Sequence, residues 1–216
     1  MKNYLILILI ALSFFACKDQ NEATPEETTK YNIVKISTTY GDMYAHLYDS
    51  TPLHKANFEK LTNEGFYNQT EFHRTVKNFV IQGGDPNSKD DDRSNDGNGG
   101  PGYTTSAEID SSHYTHIYGA IGAARLPNSV NPDRNSSGSQ FYIVTNPDGT
   151  DFLDGEYTVF GEIVGGMDVA QQIENVEVNN TQQNRPVTRL PMTVEILQLS
   201  EEEIQSLELN WPPQQQ

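Results

Sequence analysis

The stretch from Phe72 to Asp85 sets His73, Arg74 and Gln82 beside the apolar side chains Phe79 and Val80. A guanidinium holds five N–H donors in a fixed plane and does not titrate near neutral pH. Placed against an apolar pocket, it can stabilise an electron pair that a substrate develops only in a transition state. Gln82 has the donor and acceptor needed to orient Arg74 or to hold a substrate carbonyl. His73, beside Arg74, has the chemistry for an acid–base role or for lining and hydrogen bonding in a site. Taken singly, Arg74 reads equally well as a surface strand residue in a charged pair, and Phe79 and Phe152 as core aromatics. The five histidines, His46, His54, His73, His113 and His116, lack the spacing of a two-histidine metal motif and have no cysteine partner beyond Cys17. Asp90-Asp91-Asp92 lacks the alternation and terminal Glu of a calcium loop, so it reads as a solvated acidic loop.

These residues need a frame. Ile33–Thr38 is rich in β-formers, Met43–Tyr48 alternates with period two, and Tyr40-Gly41-Asp42 forms the turn of a hairpin. Thr51 followed by Pro52 predicts an N-cap and first helical residue, with Leu53, Ala56, Phe58 and Leu61 as the apolar stripe of a helix over 52–64. Strands are predicted at 71–76, 79–82, 140–145, 157–164 and 192–199, and a second short helix at 167–173. Gly83–Gly102 and Leu126–Gly138 are turn-rich and hold no regular element. Short strands with Gly-rich connections and two helices predict an all-β barrel or sandwich, whose closure would remove exposed edges.

The chain carries 30 acidic and 14 basic residues, a formal net charge of −16. Phosphate contacts need a Lys/Arg surface, so nucleic acid is excluded as a partner. At the N-terminus, Lys2 and the apolar run Tyr4–Phe15 match a secretory signal and are too short to span a bilayer. The run ends at Ala16-Cys17, which resembles a bacterial lipoprotein acylation site although Phe14 and Phe15 depart from its usual residues. The alternative is an ordinary signal peptide cleaved nearby. The expected organisation is a signal peptide over 1–16, a flexible tether over 17–30, one domain over 31–199 and a charged tail over 200–216. The lipid anchor on Cys17 would hold the exported protein at a membrane, the outer one because Lys18 carries no inner-membrane retention signal.

The block Phe72–Asp85, then Ser137-Gly138-Ser139-Gln140-Phe141-Tyr142-Ile143, then Phe152–Gly161 resembles, in order, the signatures of the cyclophilin-type peptidyl-prolyl cis/trans isomerases. The resemblance covers residues 31 to 199. It implies a closed eight-stranded antiparallel barrel capped by two helices, with the site on its outer face and no cofactor or metal. It implies Arg74 and Gln82 as catalytic residues acting on proline-containing polypeptides. Substrate would be bound by His73, Phe79, Val80, Ala124, Gln140, Tyr142, Phe152, Leu153 and Tyr157. A monomer suffices. Phe152 stands where the best-known eukaryotic members carry Trp, which argues against tight cyclosporin binding. Tyr142 and Tyr157 stand where Phe and His are frequent. Ala123 replaces an Asn of the family's Ala-Asn-Ala stretch, and the loop Arg125–Ser136 is longer than usual. The competing reading is a non-catalytic barrel that binds extended proline-containing segments as a chaperone.

Overall fold

Alternating burial along the first two segments makes the expected hairpin, β1 (Tyr31–Thr38) and β2 (Gly41–Leu47), in which Val34 faces Ala45 and Ile36 faces Met43. Their inward side chains enter the main core, while Ile33 points outward into a separate cluster. The computed structural model describes residues 29–182 and 184–215. Cys17, the signal segment and most of the tether lie outside the described residues.

α1 (Pro52–Asn63) starts at Pro52 as the sequence predicts, but Thr51 does not cap it. The Thr51 hydroxyl turns back to the Tyr48 carbonyl at 3.2 Å. The free N–H groups of Leu53 and His54 instead donate to the two carboxylate oxygens of Glu108, each at 2.9 Å. A carboxylate at a helix N-terminus satisfies orphan donors and favours the helix dipole, so it displaces the weaker hydroxyl cap.

β3 (Arg74–Val76) and β4 (Val80–Gly83) pair through the turn at Lys77-Asn78. The Gly-rich stretch carries one 3₁₀ turn, Pro86–Lys89, capped by the Asp85 side chain, and then β5 (Thr104–Thr105). In the acidic loop, Asp90 and Asp92 spend their carboxylates on backbone N–H groups two residues on. β6 (Ala120–Ala123) precedes β7 (Ser136–Ser137), which pairs with β5. There follow β8 (Phe141–Val144), β9 (Val159–Gly165), α2 (Met167–Glu174), the small pair β10 (Val178–Asn179) and β11 (Arg185–Pro186), and β12 (Met192–Leu199).

The main sheet has eight antiparallel strands in the order β12-β1-β2-β9-β6-β8-β4-β3. It curls until its two ends approach, but β3 and β12 do not form a continuous ladder. The seam is one bridge, Glu71 to Pro191, with backbone bonds such as Phe72 N–H to the Leu190 carbonyl at 3.0 Å. The barrel is therefore all-β as expected, with partial closure. Its interior is filled by Ile36, Met43, Phe72, Ile81, Phe141 and Ile143, on which α1 lays Phe58 and Leu61 and α2 lays Ala170 and Ile173.

The segment after β12, expected as a charged tail, folds back instead. Ser200 and Glu203 form a reciprocal capping box at the start of α3 (Glu201–Ser206), and the acidic residues occupy its first turn. Behind that charged face Ile204 and Leu209 are buried against Ile33 and Val164, and the ring of Trp211 meets Tyr31 at 4.9 Å.

Candidate active site

Strand register decides which side chains share a face. Arg74 lies opposite Gln82, Gln82 opposite Tyr142, and Tyr142 opposite Gly122, so the four form one row across β3, β4, β8 and β6. Val80 and Val144 follow on that outer face, while Ile81, Phe141 and Ile143 point into the core. Above the row opens a cavity of about 190 Å³, walled by Arg74, Phe79, Val80, Tyr142, Leu153 and Tyr157. It shares Gln82, Ala124 and Arg125 with an adjoining cavity of about 590 Å³, which extends along Gly97–Gly100 and Gln140 to the loop bearing Leu126 and Val130.

Arg74 is half-buried, and removal from water lowers its pKa, which still leaves a guanidinium cationic. Its carbon Cζ stands 5.8 Å from the centre of the Phe79 ring. One N–H from Nη1 goes to Oε1 of Gln82 at 3.3 Å. A relay behind Gln82 fixes that amide. Its Nε2 donates to Oε1 of Gln140 at 3.1 Å, and Nε2 of Gln140 donates to the carbonyls of Gly97 at 3.0 Å and Gly99 at 2.8 Å. The two carbonyls can only accept, so they set the orientation of Gln140, which sets Gln82 and turns its oxygen towards Arg74. The glycine loop is held in turn by the buried carboxylate of Asp85, which accepts N–H groups of Asn87 (2.8 Å), Gly97 and Gly99 (3.1 Å).

Most of the residues singled out from the sequence come together here: Arg74, Phe79, Val80, Gln82, Ala124, Tyr142, Leu153 and Tyr157 line the cavity, and Gln140 stands behind Gln82. Two are placed otherwise. His73 precedes β3 and turns its ring under the glycine loop rather than into the cavity wall. It is 5% exposed, its ring lies near Gly97, and burial brings its pKa down to about 4. It lines neither cavity and stands behind the Gly97 loop that does. Phe152 is 67% exposed and stands at the rim, stacked on Phe79 with centroids 5.5 Å apart, rather than in the cavity wall.

The expected loss of an Asn at Ala123 also needs correcting, because Ala123 is buried in the core. From this stretch Ala124 and Arg125 reach the cavities, and sequence reasoning passed over Arg125. Its guanidinium lies 4.4 Å from the centre of the Tyr157 ring and bonds the Glu156 carbonyl at 2.9 Å, the Glu156 carboxylate at 3.1 Å and Asn128 at 2.6 Å. So engaged, it braces Tyr157. Arg134, from the long loop, adds a second arm to Glu156 at 3.2 Å. His54 bridges Glu108 at 2.6 Å and Ser136 at 2.9 Å, in the manner of a nucleophile triad. The serine is buried and the cavity beside His54 measures only about 10 Å³, so no substrate reaches it.

Residues 33–195 match the family model described as cyclophilin type peptidyl-prolyl cis-trans isomerase/CLD. The chain is 39% identical over 130 residues to peptidyl-prolyl cis-trans isomerase B of Bacillus subtilis, covering 60% of this chain and 80% of that one. It is 36% identical over 192 residues to a probable peptidyl-prolyl cis-trans isomerase of Brucella suis, covering 86% and 91%. Among solved structures, a Cryptosporidium parvum cyclophilin determined in the presence of the dipeptide Ala-Pro is similar over 78% of this chain and 99% of that one, with a TM-score of 0.65 and 29% identity.

Proposed function

The chain belongs to the cyclophilin-type peptidyl-prolyl cis-trans isomerase family, and from that membership we propose that Arg74 and Gln82 carry the rotation of X-Pro bonds at the cavity above β3, β4 and β8. Rotating an amide costs about 18–20 kcal/mol because nitrogen–carbonyl resonance is lost. Uncatalysed exchange at proline therefore takes roughly 10–100 s at 25 °C. No covalent bond is made or broken, so the catalyst has only to bind the twisted amide better than either planar form. Once twisted, the proline nitrogen regains a lone pair and becomes an acceptor. The N–H groups of Arg74 not taken by Gln82 are the donors for it, with Phe79, Tyr142 and Leu153 receiving the proline ring. The surrounding apolar walls strengthen that interaction by excluding water.

The observation that carries this reading is the arrangement of Arg74. It is half-buried over Phe79, anchored by an amide whose orientation is fixed through Gln140, and free of any ion pair among the described residues. A chain that only bound peptides would have no use for so constrained a donor. The test is cis/trans exchange of an Ala-Pro peptide followed by NMR with the purified chain. One charged hydrogen bond made only in the transition state is worth about 2–3 kcal/mol, so Arg74→Ala should lower kcat/KM about 100-fold. A wild-type chain that binds the peptide without accelerating exchange would instead be a binding module.

The clients would be exported proline-containing polypeptides, and a lipid on Cys17 would hold the domain at the membrane through residues 17–30. The apolar run Tyr4–Phe15 ending at Cys17 supports this reading. Mass spectrometry of the mature N-terminus decides it: an acylated Cys17 is expected, and an unmodified Cys17 or cleavage elsewhere overturns it.

A further inference from the structure

Behind the proline cavity lies a histidine that neither the rotation chemistry nor the motifs require. The side chain of His116 is fully buried, and both of its ring nitrogens are engaged. Nδ1 is 2.7 Å from Oδ1 of Asp154, and Nε2 is 2.9 Å from the hydroxyl of Tyr142. The backbone N–H of His116 reaches the same Asp154 oxygen at 2.8 Å, and its carbonyl accepts from Thr150 N–H at 2.8 Å. One residue thus grips both the Tyr142 ring, which forms the cavity floor, and the turn over 150–157, which carries Leu153 and Tyr157 in its wall.

A second, independent feature points the same way. A Cβ on Gly122 would lie within 2.4 Å of the tip of the Tyr142 ring and its hydroxyl. Only a glycine on β6 lets the phenol cross that strand to His116, where the two rings stack at 14° with centroids 5.9 Å apart. The hydroxyl points into the protein and away from substrate, so its service is mechanical.

We propose that His116 is a positioning residue for prolyl isomerisation, tying the floor of the proline cavity at Tyr142, through Asp154, to the turn that carries Leu153 and Tyr157 in its wall. Nδ1–H donates to the Asp154 carboxylate, which fixes the tautomer and leaves Nε2 to accept from the Tyr142 O–H. The cavity depth is thereby set by two hydrogen bonds of one imidazole. Arg74 is not part of this linkage, so weakening it loosens proline binding in the planar and twisted states alike and leaves the chemical step intact.

The proposal rests on the isomerase reading above, and its test separates the two. Tyr142→Phe removes one hydroxyl and keeps the ring, while Asp154→Asn keeps shape and removes the charge. Each should raise KM for an Ala-Pro peptide, and its Kd by NMR titration, about fivefold, the worth of one hydrogen bond, with kcat within twofold of wild type. Arg74→Ala should show the opposite split. Imidazole ¹⁵N spectra of the wild type should show a protonated Nδ1 and an accepting Nε2 on His116, with the Nε2 signal moving to its free position in Tyr142→Phe. Unchanged KM and Kd in a folded Tyr142→Phe chain, or a proton on Nε2 in the wild type at neutral pH, would overturn the proposal. Should Asp154→Asn fail to fold, Tyr142→Phe decides alone. A wild type that binds peptide without turnover would sink the isomerase assignment and leave His116 to be judged on Kd.

Discussion

Replacing Gln140 by Glu changes one nitrogen to oxygen and leaves the shape of the side chain intact, which makes it a sharp probe of the relay behind Arg74. In the wild type, Nε2 of Gln140 donates to the Gly97 carbonyl at 3.0 Å and the Gly99 carbonyl at 2.8 Å. A carboxylate oxygen at the same point faces two acceptors with no proton between them. Two hydrogen bonds at about 1 kcal/mol each are lost, roughly 2 kcal/mol, before any repulsion is counted. If the displaced loop or amide misorients Gln82, that energy comes out of the transition state, and about 2 kcal/mol corresponds to about 30-fold in kcat/KM. Residue 140 is 7% exposed, so burial raises the pKa of the introduced carboxyl. Once protonated, it can donate to one of the two carbonyls again. Exchange rates of an Ala-Pro peptide measured from pH 8 to pH 5 should therefore show Gln140→Glu depressed at pH 8 and recovering on acidification, against the flatter profile of the wild type. Equal activity of variant and wild type at pH 8 would mean that the relay does not orient Arg74, and a loss independent of pH would mean that the carboxylate charge is not its cause.

Acid should also weaken the fold through His73. Its folded pKa of about 4 lies below the ordinary 6.5, so folding favours the neutral ring, and stability is complete above 6.5, falls between 6.5 and 4, and levels off below. A shift of that size is worth about 3 kcal/mol, and urea melts of His73→Asn should lose about that much less than wild type between pH 7 and pH 4. Burial lowers His54 and His116 in the same direction, which is why the difference between the two proteins is the quantity to read; identical pH slopes would refute it. Ending the chain at Ser200 removes the burial of Ile204 and Leu209, about 4 kcal/mol together, and should lower Tm by about 8–16 °C. The sole tryptophan, Trp211, should unquench or shift with loss of this packing in the full chain on heating; a truncated chain melting within about 2 °C of the original would show that the segment contributes nothing.

The sequence carried much of this fold because its strongest signals are local. The hairpin of β1 and β2, the Pro52 start of α1 and the strand β12 follow from periodicity and a fixed φ, both of which act over a few residues. What it concealed depends on distant pairing. The N-cap of α1 comes from Glu108, far along the chain, where no local pattern announces it. His73 and Arg74 are neighbours in the motif, yet Arg74 lines the groove while His73 is buried beside Gly97, and only the pairing of Arg74 with Gln82 and the distant glycine loop decide this. Three glutamates in a row made the C-terminal segment read as solvated, although a capping Ser200 followed by Glu203 was a visible helix start. Arg125 and His116 went unassigned for the same reason: each acts through a residue far along the chain, Glu156 at 31 positions and Asp154 at 38.

The order of strands in the sheet bears on when the domain can form at all. β1 is paired on one side by its neighbour in sequence, β2, and on the other by the last strand, with Tyr31 facing Leu199 and Thr38 facing Met192. Contacts between the two ends of a chain are the slowest to establish, since the entropy of closing the largest loop must be overcome before they return anything. A half-made molecule therefore exposes a free edge on β1, with Val34 and Ile36 lacking their partners Ile196 and Val194 on β12, and such edges invite aggregation. A nascent chain is complete in folding terms only when β12 has emerged, so this isomerase must be made through Leu199 before its own barrel can form.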